Sequence, residues 1–242
     1  MGFKIELKEA SYGYEGGGEL LRGIDFAVRP GEVLGVVAPV GGGKSTFLKL
    51  AAGLLRPRSG RLIVDGADFW GMGVKENYRL RSRMGFDFQE AALVVNMTIF
   101  QNLALPLRYH GAMGEGEIGR LVDGWLARME LSSFRDSLPA ALSSGLKRRV
   151  SFIRTVITPR EFYFWDEPTQ GANTAFIEAV VASIGEAKKR GASSIFATQN
   201  APFLGRVADR VLVLSGGRIA YMGPLESGRI PVAIASEGML RE

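Results

Sequence analysis

The stretch "APVGGGKST", Ala38 to Thr46, follows the apolar run "VLGVV" and leads into "FLKLAAGLL". An apolar run, a glycine run and then Phe47, Leu48, Ala51 and Leu55 at helical spacing predict a buried strand, a tight loop and a helix. Gly41, Gly42 and Gly43 let main-chain N–H groups turn toward one point without Cβ clashes. The helix starting near Lys44 aims its positive end at the same point. Lys44 adds a full positive charge for β- and γ-phosphates, and Ser45 adds a hydroxyl for Mg²⁺. The spacing matches a P-loop, with Ala38 where the first glycine usually stands. That position need only be small. A plain glycine turn would require neither the lysine nor the serine. Ala38, Pro39, Val40, the three glycines, Lys44, Ser45 and Thr46 are therefore the candidate phosphate-binding residues.

A second stretch, "FYFWDEP" from Phe162 to Pro168, puts four aromatic residues before two carboxylates. It predicts a buried strand with Asp166 and Glu167 at its C-terminal tip, the edge where open α/β sheets hold ligands. Asp166 is expected to reach Mg²⁺ through water, and Glu167 to polarise an attacking water. Phosphoryl transfer needs positioning and charge stabilisation, which such groups supply. A solvated turn ended by Pro168 is the plainer reading of this segment when it is taken by itself.

Around these motifs the pattern alternates. "FKIELKEASYGY" has period two, "LLRGIDFAV" gives a second strand, and "RLIVDG" another. From about Thr98 to Val156 the apolar spacing becomes helical, and this predicts a helical lobe inserted between strands. Strand, helix, strand then follow in "EFYFWDEP", "TAFIEAVVASIGEAKKRG" and "SSIFAT", and "RVLVLSGGRIAYMG" closes with strands. Strands alternating with helices argue for α/β architecture with a parallel sheet.

Composition narrows the classes. The 242 residues are 46% hydrophobic and 23% charged, which suffices for a large core without staples. Cys is 0, so no disulfide, thiolate metal site or thiol nucleophile exists. No window approaches a membrane span, and the N-terminus lacks the apolar core of a signal peptide. The net charge of +5 is spread over "LKRRV", "AKKRGA" and "RPRSGR" without an aromatic ladder, so nucleic acid is not the expected partner. These basic runs read as solvated helix faces with some attraction to an anionic membrane surface.

The order of these motifs resembles the ATPase subunit of ABC transporters along essentially the whole chain. Tyr14 matches the aromatic that stacks on adenine in that family. Gln89, in "MGFDFQEAAL", matches the glutamine that senses Mg²⁺ and couples to the transmembrane partner. "LSSGLKRR", from Leu142, stands where the family has its Leu-Ser-Gly-Gly-Gln signature. There the serine and N–H groups, here Ser143, Ser144 and Gly145, contact the γ-phosphate held by a second subunit. "EPTQGANT" matches the loop joining the two sites, and "ATQN" the switch position. The resemblance implies a P-loop NTPase (RecA-like) core with an antiparallel N-terminal β region. One ATPase domain would span 1–242, with 1–97 and 157–242 as catalytic core and about 98–156 as lobe. It implies ATP and Mg²⁺ as cofactors, with Lys44, Glu167 and Gln199 catalytic and Ser45, Gln89 and Asp166 on the metal side.

Departures from the family pattern cluster where two subunits meet. Ser144 replaces the first signature glycine, which is tolerable if φ stays negative, and Leu146 replaces the glutamine. Asn173 replaces an aspartate, and Gln199 the switch histidine. Glutamine can donate a hydrogen bond but carries no positive charge and no proton relay. His110, the single histidine, is expected on the exposed side of the lobe without a catalytic role.

The expected function is the energy-coupling ATPase of a membrane transporter, attenuated in turnover. It would sit on the cytoplasmic face of the membrane, with separate permease subunits and a second ATPase subunit, identical or not. "TIFQNLALPLRYHG" resembles bacterial ATPases of the Mla/Mce phospholipid-transport type and also lipoprotein-release ATPases, and this points to a lipid or other hydrophobic substrate. A regulatory subunit with little turnover is the alternative within the family. A soluble ABC-type ATPase of DNA repair or translation is a third reading, though it usually brings two cassettes, a coiled coil or zinc cysteines. A simple GTPase or kinase has no place for the lobe with its "LSSG" segment.

Overall fold

Residues 3–110 and 113–225 are described by a computed structural model. Two sheets share the work of building its core. The first is antiparallel, in the order β2-β1-β4-β5, from β1 (Ile5–Tyr12), β2 (Leu21–Val28), β4 (Ser59–Val64) and β5 (Ala67–Asp68). Alternation in β1 buries Ile5 and Leu7, then slips by a residue so that Ala10 is buried next. Glu9 absorbs the slip with φ 49, and its N–H is taken by Asp25 Oδ1 at 2.9 Å. A bulge of this kind is how a strand keeps its apolar face inward after an extra residue.

The second sheet has the order β10-β9-β3-β8-β7-β6. It contains β3 (Val33–Val37), β6 (Met84–Asp87), β7 (Phe162–Asp166), β8 (Ser193–Ala197), β9 (Arg210–Ser215) and β10 (Arg218–Pro224). All neighbours are parallel except β10 on β9. Every residue of β3, β7 and β8 is buried, and the apolar runs of β3 and of Phe162–Trp165 in β7 are continuous for that reason, whereas β8 opens with two buried serines, Ser193 and Ser194.

Side chains of β7 alternate between two cores. Phe162 and Phe164 join Phe47 and Leu48 of α1 (Lys44–Ala51) and the antiparallel sheet. Tyr163 and Trp165 face the opposite core. Helices α3 (Ile99–His110), α4 (Glu115–Arg128), α5 (Ser144–Val156), α6 (Thr174–Lys189) and α7 (Ala201–Val207) contribute to that second core. Three of these helices fall in the segment from Thr98 to Val156 that the spacing predicts as helical, together with 3₁₀ turns at Ser132–Phe134 and Pro139–Ala141. Helix α3 contains Pro106. Buried Asn102 fastens the preceding loop to it, donating to the carbonyls of Val94, Met97 and Thr98 over 3.0–3.1 Å. The exposure expected of His110 concerns a side chain outside the described residues.

Helix α2 (Val74–Arg81) and strand β6 have no counterpart in the sequence-based expectations. Neither does α7, which begins directly at the switch segment. Asn200 caps it by accepting from Phe203 N–H at 2.8 Å, and Pro202 sits in its first turn, where a missing N–H costs nothing. The adjacency of β3, β8, β7 and β6 in parallel brings four C-terminal tips to one edge. Those tips carry Ala38, Thr198–Gln199, Asp166–Glu167 and Phe88–Gln89.

Among the described residues no helix is long and apolar enough to cross a membrane.

Candidate active site

The loop after β3 is held by its glycines. Gly41 and Gly43 have φ of 76° and 89°, a region that L side chains disfavour. A Cβ on Gly42 would lie 2.9 Å from Ala38 Cβ and 3.0 Å from Pro39 O. This crowding also explains why position 38 must stay small. Gly43 caps α1 without any side-chain acceptor, and the first turn of the helix contains no acidic residue. Gly42 N–H is taken by Pro39 O at 2.9 Å, but the positive end of the helix has no side-chain cap and no acidic neighbour in its first turn, as a phosphate site requires.

Most of the candidate side chains converge on that cleft, a hollow of about 410 Å³, while Tyr14, Ala38, Pro39 and Asp166 are not among the residues lining it. Val40, the three glycines, Lys44, Ser45, Thr46, Gln89, Glu167, Gln170 and Gln199 line it. Lys44 Nζ donates to Ala38 O at 3.2 Å and lies 3.8 Å from Glu167 Oε1. Ser45 Oγ donates to Asp166 Oδ1 at 2.9 Å. Gln89 Nε2 donates to Gln170 Oε1 at 3.1 Å. Tyr14, 47% exposed, stands at the rim with its hydroxyl 3.1 Å from Thr46 Oγ1.

Glu167 is held in an unusual conformation, with φ 50. Its N–H donates to Ala197 O at 2.9 Å, and its Oε2 accepts from Gln199 N–H at 3.2 Å. A non-glycine residue in this region is costly, and such strain clusters at functional sites.

Burial raises the Glu167 carboxyl above its ordinary range, against the pull of Lys44 and the Gln199 N–H. It raises Asp166 likewise, against Ser45, Lys49, Arg148 and Lys44. Burial lowers Lys44, with Glu167 and Asp166 opposing. In all three groups desolvation outweighs the opposite charges beside them, so each is held away from its preferred charged form in a partly desolvated pocket.

A magnesium ion and a triphosphate would add charge of the sign opposite to each of these groups. Ser45 Oγ and Asp166 Oδ1 lie together and Gln89 lines the same cleft; hydroxyl, carboxylate and amide oxygens are the hard donors that Mg²⁺ takes. Among the described residues no group of three or more His, Cys, Asp or Glu side chains is arranged to hold a metal unaided. The chain thus suits Mg²⁺ shared with phosphates rather than a closed protein cage.

Ser143, Ser144 and Gly145 do not reach this cleft within the chain. Ser143 caps α5, accepting from Leu146 N–H at 3.4 Å. Ser143 and Gly145 line a separate hollow of about 230 Å³ with Gln170, Gly171 and Asn173. Ser144 is exposed in the first turn of α5 and is not among the residues with positive φ, so the condition for tolerating serine there is met. Asn173 caps α6, its Oδ1 accepting from Phe176 N–H at 3.0 Å.

Sequence reasoning missed three groups beneath the cleft. Arg148, expected on a solvated face, is buried, and so are Asp87 and Ser151. Ser151 Oγ donates to Asp87 Oδ1 at 2.8 Å, and Arg148 Nη2 lies 3.1 Å from Asp87 Oδ2. Burial pushes the Asp87 carboxyl up to about 6, with Arg148 and Ser151 opposing. The overlooked signal was spacing. Arg148, Ser151, Phe152 and Thr155 form an i, i+3, i+4, i+7 stripe, the buried face of a helix.

The family model for ABC transporters matches residues 21–170. The chain belongs to the ABC transporter ATPase family. It is 35% identical over 224 residues to the methionine import ATP-binding protein MetN of Caulobacter vibrioides, covering 92% of this chain and 67% of that one. It is 32% identical over 215 residues to the cell division ATP-binding protein FtsE of Escherichia coli K12, covering 89% and 96% respectively. Among solved structures, the dimeric bacterial ABC transporter cassette MJ0796 superposes with a TM-score of 0.83 at 25% identity. That match covers 92% of this chain and 99% of the cassette. This ABC ATPase accordingly binds ATP with Mg²⁺ and hydrolyses it, and the α/β fold with parallel sheet, antiparallel β region and helical lobe is that of the family.

Proposed function

We propose that this chain is the energy-coupling ATPase of a membrane transporter for a lipid or other hydrophobic substrate, with attenuated turnover. It would work as a sandwich of two ATPase subunits, docked on separate permease subunits at the cytoplasmic face of the membrane. The observation that carries the dimer is the separation of the Ser143–Gly145 hollow from the Lys44 cleft. Gln170 lines both, so one short loop connects the two hollows of a single chain. A complete site then needs the signature turn of a second subunit. The domain reading of 1–97 and 157–242 as catalytic core follows the same logic, since every residue lining the nucleotide cleft falls within those ranges, and about 98–156 holds the turn offered to the partner.

Within the cleft, the glycine loop and Lys44 bind the β- and γ-phosphates, and Tyr14 at the rim takes the adenine face. Ser45, Asp166 and Gln89 hold the metal side. Bound Mg²⁺ supplies charge neutralisation on the phosphate oxygens. Glu167 polarises the attacking water, and the burial that raises its proton affinity makes it a stronger base than a solvated carboxylate. Gln199 offers a neutral hydrogen bond to the γ-phosphate where the family pattern has a histidine. A charge-assisted hydrogen bond is roughly twice as strong as a neutral one, so this substitution supports the slow-turnover reading. It equally favours the second reading, a regulatory subunit that binds ATP with little turnover beside an active partner.

The lipid reading rests on the resemblance of residues 98–111 to Mla/Mce-type and lipoprotein-release ATPases. The test is reconstitution. The purified chain is combined with a candidate permease in liposomes, and steady-state ATP hydrolysis and transfer of a fluorescent phospholipid are followed. Stimulated hydrolysis together with lipid transfer is expected. Hydrolysis coupled to uptake of a polar solute alone would refute the lipid assignment.

A further inference from the structure

Arg148 lies in the second turn of α5 with 7% of its surface exposed. Its guanidinium gathers the main chain of two segments far apart in sequence. Nη1 donates to the carbonyl of Phe88 and, at 3.3 Å, to that of Gln89. Nη2 donates to the carbonyls of Asp166 at 2.9 Å and Glu167 at 3.0 Å. The same nitrogen faces Asp87 Oδ2 at 3.1 Å, while Ser151 holds the other carboxylate oxygen from the next turn of the helix.

These carbonyls lie at the ends of β6 and β7, where strand pairing gives out and a buried acceptor needs another partner. One planar fork serves four of them. Arginine's donors are fixed relative to one another, whereas lysine offers a single flexible point charge. The arrangement therefore sets a distance, that between the loop bearing Gln89 and the tip bearing Asp166 and Glu167. Stability is a poor explanation for it. A buried ion pair is often no better than apolar packing of the same volume, and Arg148 Nε and Asp87 Oδ2 lack hydrogen-bond partners.

We infer that Arg148 is a positioning residue of the ATPase, which locks the Gln89 loop to the Asp166–Glu167 tip and ties both to α5. The first turn of α5 carries Ser143, Ser144 and Gly145, so a shift of that turn on meeting a second subunit is carried by one side chain to both edges of the cleft. The inference rests on the reading of Gln89 and Asp166 as the metal side of the site.

The test compares Arg148→Met and Arg148→Lys with the wild type in the full-length chain. ATP affinity is measured without Mg²⁺ and again across a Mg²⁺ titration, alongside kcat and the thermal midpoint. Supporting groups behind a metal site are typically worth 10- to 100-fold in metal affinity or activity. For Arg148→Met, Mg²⁺-free ATP affinity is expected to stay within about twofold, with half-saturating Mg²⁺ up by about 10-fold and kcat down by a similar factor. Arg148→Lys keeps the charge and loses the fork, and is expected to show the same split at smaller size. If Arg148→Met does not fold, Arg148→Lys carries the comparison. Wild-type Mg²⁺ dependence and kcat in a folded variant would overturn the inference, as would Mg²⁺-free ATP affinity falling in parallel with kcat. A wild type indifferent to Mg²⁺ would instead remove the reading of the metal side, and the inference with it.

Discussion

The main-chain N–H of Gln199 donates to Oε2 of Glu167 at 3.2 Å. The contact that orients the carboxylate is thus made by the backbone at the switch position, and the side chain is left free for another task. Substituting Gln199 leaves this hydrogen bond in place and changes only what is offered to the γ-phosphate. Gln199→His should therefore raise kcat by about 10-fold, the value of roughly 1.4 kcal/mol of transition-state stabilisation, with little change in KM. Steady-state hydrolysis by both proteins decides it. A fast wild type indifferent to the substitution would end the idea of a weakened switch.

Glu167 sits at φ 50 because its main chain is anchored to Ala197 O and its side chain to Gln199 N–H. An amide at this position still accepts that N–H, so the geometry survives Glu167→Gln while the base is lost. Hydrolysis should fall by about 100-fold or more, with ATP bound as tightly as before. Size-exclusion chromatography with ATP and Mg²⁺ should show dimer accumulating in this variant. Persistent turnover would move the role of base to another group.

Lys44 spends its charge on Ala38 O and on Glu167 at 3.8 Å, in surroundings whose burial already lowers its proton affinity. Replacing it removes a desolvated cation but also takes a counter-charge from Glu167 and Asp166, and these opposing effects should leave Lys44→Ala unfolding near the wild-type temperature. ATP affinity, by contrast, should drop by about 10-fold or more, since charge-assisted bonds to phosphate are among the strong ones. Isothermal titration against ATP separates the two effects. Unchanged affinity would count against the phosphate-binding role of the loop.

Much of this architecture can be read from residue pattern. β3 and β7 are buried on both faces, so their apolar runs are continuous, and each ends abruptly at the residues that line the cleft. Helix α2 was illegible because it buries only Leu80 and so lacks an apolar stripe. β6 is four residues long and carries a charge that is buried only because Arg148 and Ser151 meet it from another element. The seven-residue α7 hides behind Pro202, which looks like a strand terminator until Asn200 is seen to cap a helix. Of these, β6 depends on partners far off in sequence, as the proposed role of Ser143 depends on a second subunit.

Asn173 shows how a departure from a family pattern can have a local reason. Where an aspartate is expected, its side-chain oxygen accepts from Phe176 N–H and starts α6. Either residue can make that cap, but only aspartate adds a charge that the helix dipole favours. Asn173→Ala should cost about 1 kcal/mol, read as a lower urea midpoint at unchanged slope. Asn173→Asp should match or exceed the wild type in the same titration, by a few tenths of a kcal/mol. If Asn173→Asp also raises hydrolysis in the presence of a second subunit, the missing charge contributes to the proposed slow turnover. If hydrolysis is unmoved, the proposed attenuation lies with Gln199, Ser144 and Leu146.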